Sequence, residues 1–427
     1  MTSFPNIRIQ LITGIFLINI LSVCAQTNIR SPYSRYGLGQ INSNYSIKAM
    51  SMGGMCLANS NNDFINISNP ATYSAFDTTS FIFEGGINGI FAQMRNQTTS
   101  VYTSNLSLNY LLFGFPVSKR FACSFGLLPF SNIGYSITDS AQITDIGDIK
   151  YFFKGEGGFN KVYGGASVKL IKGLSVGFNT SYLFGSLNKI RTITFPESVN
   201  MYSIREANET KVSDVILDYG LLYEKKFKNN NCLSVGLITG LKSKLNAKEY
   251  ILTESFSGLT YGSTYIKDTL ENSAQKGDIV LPPYIGGGIT FKKNNKWLIG
   301  VDYKTQKWNE FSSFGHVDSL SNSMQASVGM SFFPSNPSGT SFWNKTTYRF
   351  GLRYAQTYLQ LRNSQLNEYG ISFGFAFPMQ RSKSTINFGV ELGQRGTTEN
   401  NLIKETFALV SCSLSIYERW FIKRKYE

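Results

Sequence analysis

The feature that most constrains this chain is a two-residue alternation that begins near residue 79 and continues almost to the end. From residue 174, for example, Leu174, Val176 and Phe178 alternate with serine, glycine and asparagine. A period of two places successive side chains on opposite faces of a β-strand, so one face of each strand is apolar and the other is not. The sequence therefore predicts an all-β protein.

The second face of these strands separates two kinds of all-β protein. Tyr369, Ile371 and Phe373 alternate with Gly370 and Ser372, and small residues recur in this way along most strands. A β-sandwich carries lysine, glutamate and threonine on its wet face, whereas small residues suit a crowded barrel interior. The predicted strands also have roughly 10–15 residues, as tilted membrane-spanning strands do. We therefore predict a transmembrane antiparallel β-barrel.

The composition agrees with a wall that faces lipid. Only 16% of the 427 residues are charged, against about 25% in a typical soluble domain. After residue 25 there is no apolar run of about 18 residues that could form a transmembrane helix. The same composition argues against a disordered chain, a coiled coil and a collagen-like chain.

Fifteen segments show the alternation, and the stretch 258–269 shows it least clearly. Closed bacterial barrels normally have an even number of strands, so we assign 258–269 to a loop and predict fourteen strands, with sixteen as the alternative. The polar stretches 195–211, 250–278 and 312–323 are predicted to be long outward loops. Asparagine-rich links such as 229–231 are predicted to be short hairpin turns.

The first 25 residues have the layout of a secretory signal peptide. Arg8 is the single charge among the first ten residues, Leu11–Val23 is apolar but too short to span a bilayer, and Ala25 ends a possible cleavage site. Lipoprotein processing at Cys24 is the alternative, although Val23 is bulkier than the small residue which that machinery prefers. Cleavage near Ala25, combined with a β-barrel, predicts the outer membrane of a Gram-negative bacterium.

The chain is basic, with a net charge of +14 at pH 7. An exported protein does not meet nucleic acid, so we predict no nucleic-acid partner. Loop lysines in contact with the anionic head groups of outer-membrane lipid account for the charge.

Neither a catalytic site nor a metal or cofactor site is predicted. Cys56, Cys123, Cys232 and Cys412 lie far apart without a paired metal-binding spacing, although a disulfide between two of them stays open. His316 is the single histidine of the chain, and it lies in a predicted loop with no nucleophile beside it. We therefore predict that the protein is not an enzyme.

Residues 26–78 lack the alternation and form a second region between the signal peptide, 1–25, and the barrel, 79–427, which ends in a short basic tail. A barrel of fourteen strands is too wide to be filled by its own side chains. We therefore predict that residues 26–78 form a plug, or hatch, inside the lumen. The methionine cluster at residues 50, 52 and 55 is predicted to give adaptable packing against the wall.

A short pattern in this region resembles the hatch of the FadL family, whose members are outer-membrane transporters of long-chain fatty acids and aromatic hydrocarbons. The pattern consists of Gly53-Gly54, Ala58, Asp63 and Asn69-Pro70-Ala71. The run 154–158 also resembles a FadL-family segment, and both ends of the mature chain, 31–37 and 418–425, look like those of Bacteroidota outer-membrane proteins. The resemblance is close at the hatch and loose elsewhere.

The resemblance implies that the hatch closes the lumen and that a kink in an early strand opens the wall sideways. The third predicted strand has a physical counterpart of such a kink at Pro129, which cannot donate a ladder hydrogen bond, with Gly126 and Gly134 on either side. A proline beyond the outer end of the sheet is the alternative. Asn69-Pro70-Ala71 can likewise be an ordinary turn that joins the hatch to the first strand.

Three basic residues are candidate ligand partners in the lumen. Arg349, Arg353 and Lys304 alternate with outward apolar residues, so their side chains should point inward, where they could hold a ligand carboxylate. Ion pairing with lumen acids such as Glu391 is the alternative.

Two functions remain open at the level of sequence. The first is a channel for uptake of hydrophobic, fatty-acid-like or detergent-like molecules, which leave by lateral diffusion through the barrel wall. The second is a FadL-like barrel that serves as a subunit of an outer-membrane secretion or assembly complex, with other outer-membrane or periplasmic proteins as partners. A ligand pocket between hatch and wall would favour the first function, and a filled lumen would favour the second.

Overall fold

The computed structural model describes residues 31–419 except 44, 197, 229, 258–264, 318–319, 335–342 and 380–381. The predicted signal peptide, its cleavage site and most of the basic tail therefore lie outside the described residues. No helix among the described residues is long and apolar enough to cross a membrane.

The wall consists of fourteen antiparallel strands. They are β1 Ser80–Arg95, β2 Ser100–Pro116, β3 Phe121–Ile143, β4 Gly147–Ile171, β5 Leu174–Thr194, β6 Ser203–Lys226, β7 Cys232–Gly240 with Ser243–Ser257, β8 Tyr265–Leu281 with Tyr284–Lys293, β9 Trp297–Gln306, β10 Ser323–Phe332, β11 Thr347–Leu361, β12 Ser364–Pro378, β13 Thr385–Arg395 and β14 Lys404–Arg419.

The sheet closes on itself into a barrel. Strands that are consecutive in the chain are neighbours in the sheet, and β14 pairs with β1 from Lys404 opposite Arg95 to Arg419 opposite Ser80. The prediction of a closed antiparallel barrel with fourteen strands is confirmed.

Two neighbouring strands are interrupted at the same level of the wall. β7 breaks at residues 241–242, and β8 breaks at Pro282 and Pro283, whose rings leave no N–H group for the ladder. β6 pairs with both parts of β7, so each interrupted strand counts once around the barrel.

The two ends of the barrel differ. Short turns at one end, here called the lower end, include Asn294 and Asn295, both with positive φ, and β1 begins and β14 ends there. At the opposite, upper end, β3 to β6 have 21 to 25 residues each, whereas β9 and β10 have 10 each. One side of the wall is therefore much taller than the other.

This tall side corrects the prediction of loops at 195–211 and 250–278. Residues 203–211 belong to β6, and most of 250–278 belongs to β7 and β8, which pair with each other. These upper parts of the strands carry polar residues on both faces because they extend beyond the apolar, lipid-facing part of the wall. Without one apolar face, a strand lacks the alternation by which it is recognised in sequence.

The outer face of the wall is apolar. On β9, Ile299, Val301 and Tyr303 point outward and are about half exposed, whereas Gly300 and Asp302 between them face the interior and are buried. The same alternation recurs around the barrel, as expected for a lipid-facing surface.

Residues 31–78 lie inside the barrel and are named here the N-terminal segment. It contains short helices Pro32–Arg35, Ile47–Met50 and Pro70–Ala75 and a two-residue strand, Gln40–Ile41. It contacts every strand of the wall in turn: Ile47 lies against Gly86, Phe76 against Gly114, Ile41 beside Ser131, Tyr73 against Gly165, Pro70 against Gly177, Asn69 against Gly220, Leu57 against Gly236 and Gly288, Met55 against Gly300, Met52 against Gly329, Gly53 against Gly351, Ser51 against Gly374, and Met50 against Gly389 and Ser411. Only a segment enclosed by the ring can touch all fourteen strands.

Candidate functional site

Backbone packs directly on backbone where the N-terminal segment meets the wall. A Cβ atom at Gly351 would overlap the Gly53 nitrogen, and one at Gly236 would overlap the Leu57 carbonyl oxygen. The glycines that alternate with outward aromatic residues therefore make room for the segment. From the sequence alone, these glycines were interpreted only as small residues of the lumen.

Gly53 and Gly54 form a tight loop after the helix Ile47–Met50. Their φ angles of 69° and 85° are in the left-handed region that favours glycine. The Gly53 N–H donates to the Ser372 hydroxyl of β12 at 2.8 Å, so the loop is fixed to the wall.

Asn69 joins three parts of the structure. Its side-chain oxygen accepts from Ala71 N–H at 3.1 Å, and its amide donates to Leu57 O at 2.7 Å and to Leu221 O of β6 at 3.2 Å. Pro70 begins the short helix that follows. The turn predicted at Asn69-Pro70-Ala71 is therefore also a connection between the segment and the wall, because Asn69 is fully buried against both.

A buried ion pair fixes the middle of the segment to β1. Lys48 lies 3.5 Å from Glu84, with both side chains almost completely buried, and the Lys48 ammonium also donates to Asp63 O at 2.8 Å. Sequence reasoning missed this pair. A lysine on the segment and a glutamate on an inward strand position were the available signals.

The ladder between β2 and β3 covers only part of the length of these two strands. The ladder runs from Pro116 opposite Ala122 to Leu111 opposite Leu127 and then stops. Above this point β3 stays paired with β4, with an irregularity between Pro129 and Ser131. β2 stays paired with β1, with its own irregularity at residue 109. A gap in the barrel wall therefore lies between residues 101–110 of β2 and the upper part of β3.

The residues named for a strand kink all lie at this gap. Gly126 forms one of the last pairs of the β2–β3 ladder, and Pro129 lies at the irregularity of β3. Gly134 is bonded to the N-terminal segment, because its N–H donates to the Ser34 hydroxyl and its carbonyl accepts from Ser31 N–H, both at 3.1 Å.

The segment covers the edge of β3 that β2 leaves free. Gln40 and Ile41 pair antiparallel with Asn132 and Ser131. The Asn42 N–H donates to Phe130 O at 2.9 Å.

A cavity of about 390 Å³ lies between the segment and the wall. It is lined on the segment side by Tyr45 and Leu57, and on the wall side by Ser107 of β2 and Phe130 of β3. Ser107 and Phe130 stand on opposite sides of the gap, so the cavity borders both strands at this level of the wall.

Two lysines face this cavity, Lys161 buried and Lys304 partly buried. Within the described part of the chain, the ammonium groups of Lys161 and Lys304 make no hydrogen bond or ion pair. Lys304 stands 4.1 Å from the centre of the Tyr284 ring, and the Tyr284 hydroxyl donates to Asp218 at 2.7 Å. Asp302, the neighbouring inward residue on β9, instead accepts the N–H groups of the segment's residues 56 and 57.

Sequence reasoning placed Lys304 in the lumen and missed Lys161. The inward side of β4 carries the large residues Phe159 and Tyr163 around Lys161, so the rule that large residues point outward failed for this strand.

The other two predicted basic residues have different surroundings. Arg353 donates to Glu368 at 2.6 Å and also to Glu391. Arg349 reaches Asn387 at 3.5 Å. For Arg353 the arrangement matches the ion-pairing alternative, since two carboxylates already take up its charge.

The Arg353 pairs belong to a larger network near the upper end. Arg395 donates to Glu368 at 2.7 Å and to Glu405 at 3.4 Å, and the Ser31 hydroxyl of the segment also donates to Glu405. The network thus joins β11, β12, β13 and β14 to the beginning of the segment.

The remaining polar candidates are isolated. Cys56, Cys123, Cys232 and Cys412 are all free thiols. His316 lies on a short exposed hairpin at the upper end. Among the described residues, no group of histidine, cysteine and acidic residues could hold a metal ion.

The BamG family model matches residues 7–427 of the chain. No curated protein sequence matches the chain. A solved FadL homologue from Pseudomonas aeruginosa is similar in structure, with a TM-score of 0.58, 13% identity, and coverage of 90% of this chain and 100% of its own. The Pseudomonas putida toluene transporter TodX has a TM-score of 0.56, 16% identity and coverage of 89% and 100%. The monoaromatic hydrocarbon channel CymD has a TM-score of 0.55, 14% identity and coverage of 90% and 99%. At these identities the likeness shows the fold, which is that of a FadL-like outer-membrane barrel.

Proposed function

The chain belongs to the BamG family, and from this premise and the lumen geometry we propose that it is an outer-membrane channel for hydrophobic small molecules. In this proposal a ligand occupies the cavity between the N-terminal segment and the wall. It leaves sideways into the membrane through the gap between β2 and β3. The outer membrane of a Bacteroidota-type bacterium is the proposed location, after cleavage near Ala25.

The observation that carries the proposal is that the cavity borders the gap. Ser107 and Phe130 line the cavity and also border the stretch where the β2–β3 ladder is missing. In this proposal, a hydrophobic molecule in the cavity leaves to lipid by a route that avoids the polar membrane surface.

The cavity chemistry suits an amphipathic ligand with a carboxylate. Apolar side chains such as Leu57 and Phe130 line part of the space beside polar and charged ones, and Lys161 and Lys304 supply two ammonium groups without a direct anionic partner. Charge-assisted hydrogen bonds to a carboxylate would satisfy them. Arg353 is a poorer ligand partner, because Glu368 and Glu391 already hold it.

The N-terminal segment would serve as the hatch. Gly53 and Asn69 hydrogen-bond to the wall, and Pro70 and Ala71 lie against Gly177 of β5. Gln40 with Ile41 covers one side of the gap. A shift of the segment would therefore change both the cavity and the gap.

A binding measurement with palmitate tests the ligand assignment. Lys304→Gln should weaken palmitate binding by about ten- to a hundredfold, since a charge-assisted hydrogen bond contributes about 1.5–3 kcal/mol. Binding of methyl palmitate, which lacks the carboxylate, should not change. Lys276→Gln, at an exposed position of β8, is the matched control. Equal palmitate affinity for the folded Lys304→Gln protein would contradict the carboxylate site.

The family match supports a second candidate, a FadL-like barrel that acts as a subunit of an outer-membrane secretion or assembly complex. The close fit of the N-terminal segment to every strand also favours a mostly filled lumen. Gentle solubilisation followed by mass spectrometry of co-purifying proteins and lipids separates the two candidates. A stoichiometric protein partner without bound lipid would overturn the channel.

A further inference from the structure

A broad groove lies on the outer face of the wall, on the opposite side from the lumen cavity. It crosses seven neighbouring strands, from β10 through the β14–β1 closure to β2, and its volume is about 1110 Å³. Pockets for small ligands usually have about 300–1,000 Å³. The groove is therefore large enough for an occupant with more than one apolar chain.

The middle of the groove is low because β14 presents small side chains there. Thr406 and Ala408 point outward and form the floor. Tyr369 of β12 lies on one side, and Phe91 of β1 with Tyr102 of β2 lies on the other, each more than half exposed. Four strand spacings of about 4.8 Å separate β12 from β2 by about 19 Å along the wall. Several acyl chains can lie side by side across that width.

Two cations stand directly above this floor. Arg95 and Lys404 lie opposite each other in the β1–β14 ladder, one outward position above Thr406. Like charges directly opposite each other destabilise a ladder. Within the part of the chain that the structure describes, neither side chain makes a hydrogen bond or an ion pair, and Glu405 faces inward, where it binds Arg395. An anion from outside the chain would relieve the repulsion.

The two cations lie at the level expected for lipid head groups. Arg95 ends β1 and Lys404 begins β14, both at the upper end of the barrel. Short turns mark the periplasmic end of bacterial barrels, so the upper end faces outward. A lipid of the outer leaflet whose acyl chains lay in the groove would therefore bring its phosphate groups to Arg95 and Lys404.

We propose that the groove binds a phosphorylated glycolipid with several acyl chains, of the lipid A type. A phosphate accepts charge-assisted hydrogen bonds from Arg95 and Lys404, and the acyl chains lie over Thr406 and Ala408. The paired cations favour this occupant over the apolar wall of another protein, which would bury both charges without an anion. The width of the groove favours it over a phospholipid with two chains. The site lies outside the lumen, so it goes beyond the proposed channel.

Native mass spectrometry of the full-length protein in detergent micelles tests the phosphate contact. The probes are lipid A with two phosphates and phosphatidylglycerol, an anionic lipid with two chains. We expect lipid A to bind at least tenfold more tightly, and Arg95→Gln/Lys404→Gln to lower its affinity at least tenfold. Lys119→Gln/Arg120→Gln removes the same charge from an exposed turn at the lower end and should change the affinity less than twofold. Equal affinity for the two lipids, or unchanged lipid A affinity in Arg95→Gln/Lys404→Gln, would overturn the proposal.

A larger side chain on the floor tests the acyl contact. Ala408→Phe should lower the lipid A affinity several-fold, whereas Ala166→Phe, at an outward position of β4 with similar exposure, should leave it unchanged. Equal affinities of these two variants would contradict the groove as the acyl site. In cells, a photoreactive amino acid in place of Thr406 should form an adduct with lipid A, and an adduct with a protein instead would overturn the proposal. None of these measurements involves palmitate, so this inference and the proposed channel fail separately.

Discussion

Two strand-to-strand contacts of the barrel, here called the β14–β1 seam and the β2–β3 seam, lie only two strands apart. They differ in how much of their length is paired. The seam that joins the ends of the wall is paired over the whole of both strands, from Lys404 to Arg419. The β2–β3 seam is paired over six residues of each strand, although a short turn connects them. The opening is therefore not a failure of the ring to close. It is produced locally, by irregularities at residue 109 of β2 and next to Pro129 of β3.

Val410→Pro should break the complete seam and give the largest effect. Val410 lies opposite Gly89 in the middle of that ladder. A proline there removes a donor and leaves a carbonyl unsatisfied in lipid, at a cost on the order of several kcal/mol. We expect loss of the compact barrel band in unheated electrophoresis. Val410→Thr keeps the N–H group and should assemble normally. A folded Val410→Pro barrel would show that this seam tolerates an interruption as β2–β3 does.

Pro129→Val should make the incomplete seam more like the complete one. Valine restores an N–H group at the irregularity, so the β2–β3 ladder should extend beyond Leu127. We expect slower hydrogen exchange at residues 128–130 and a several-fold reduction in uptake of a hydrophobic ligand. Pro378→Val, at the lower end of β12, should change neither. An extended ladder with unchanged uptake would contradict the lateral route.

Gly39→Val should uncover the second edge of the incomplete seam. Gly39 has a φ of 86°, and a Cβ atom there would lie 2.6 Å from Asn132 O. Valine should displace the strand Gln40–Ile41 from β3, at roughly 1–3 kcal/mol, the usual cost of overpacking. Faster proteolysis of the segment is the measurement. Gly164→Val is the matched control, because no atom lies within 4 Å of a Cβ at that glycine. Equal proteolysis of both variants would show that Gln40 and Ile41 do not hold the segment.

Asp77→Asn should give the smallest effect, at the lower end of the complete seam. Asp77 accepts hydrogen bonds from Asn62 and Tyr417 and pairs with Lys383 at 3.0 Å. Burial opposes its charge, but these three partners outweigh burial and lower the pKa of Asp77 below its usual value.

A lowered pKa stabilises the folded state above the ordinary pKa of aspartate, and the effect is lost as pH falls through the lowered value. The partly exposed cluster should contribute about 0.2–1 kcal/mol at pH 7. Thermal unfolding of the Asp77→Asn and natural proteins at pH 7 and at pH 2 measures it. A difference of equal size at both pH values would contradict the ionic origin.

The barrel could be predicted because each strand of a lipid-facing wall shows the apolar alternation in its own sequence. The alternation in β9 and β12 is visible residue by residue, and it sufficed to predict fourteen strands. The upper parts of β6, β7 and β8 carry polar residues on both faces, so the same rule assigned them to loops.

The site could be predicted only in part, because its contacts join distant residues. Lys304 follows from alternation on its own strand. The pairing of Arg353 with Glu368 depends on the register between β11 and β12, and that of Arg395 with Glu405 depends on the register between β13 and β14. Neither register can be read from one strand. The incomplete pairing between β2 and β3 is likewise a property of two strands together.

The hydrogen bond from Ser31 to Glu405 has a consequence for the order of folding. These residues are 374 positions apart in sequence, and the segment between Ser31 and Ile41 also touches β3. Contacts of such separation form late, because the loop-closure entropy must be overcome first. The segment precedes every strand of the wall in the chain, yet its binding surface is complete only after β14 has joined β1. Closure of the ring and docking of the segment should therefore be one cooperative, rate-limiting event, in which the first part of the chain to arrive is the last to become ordered.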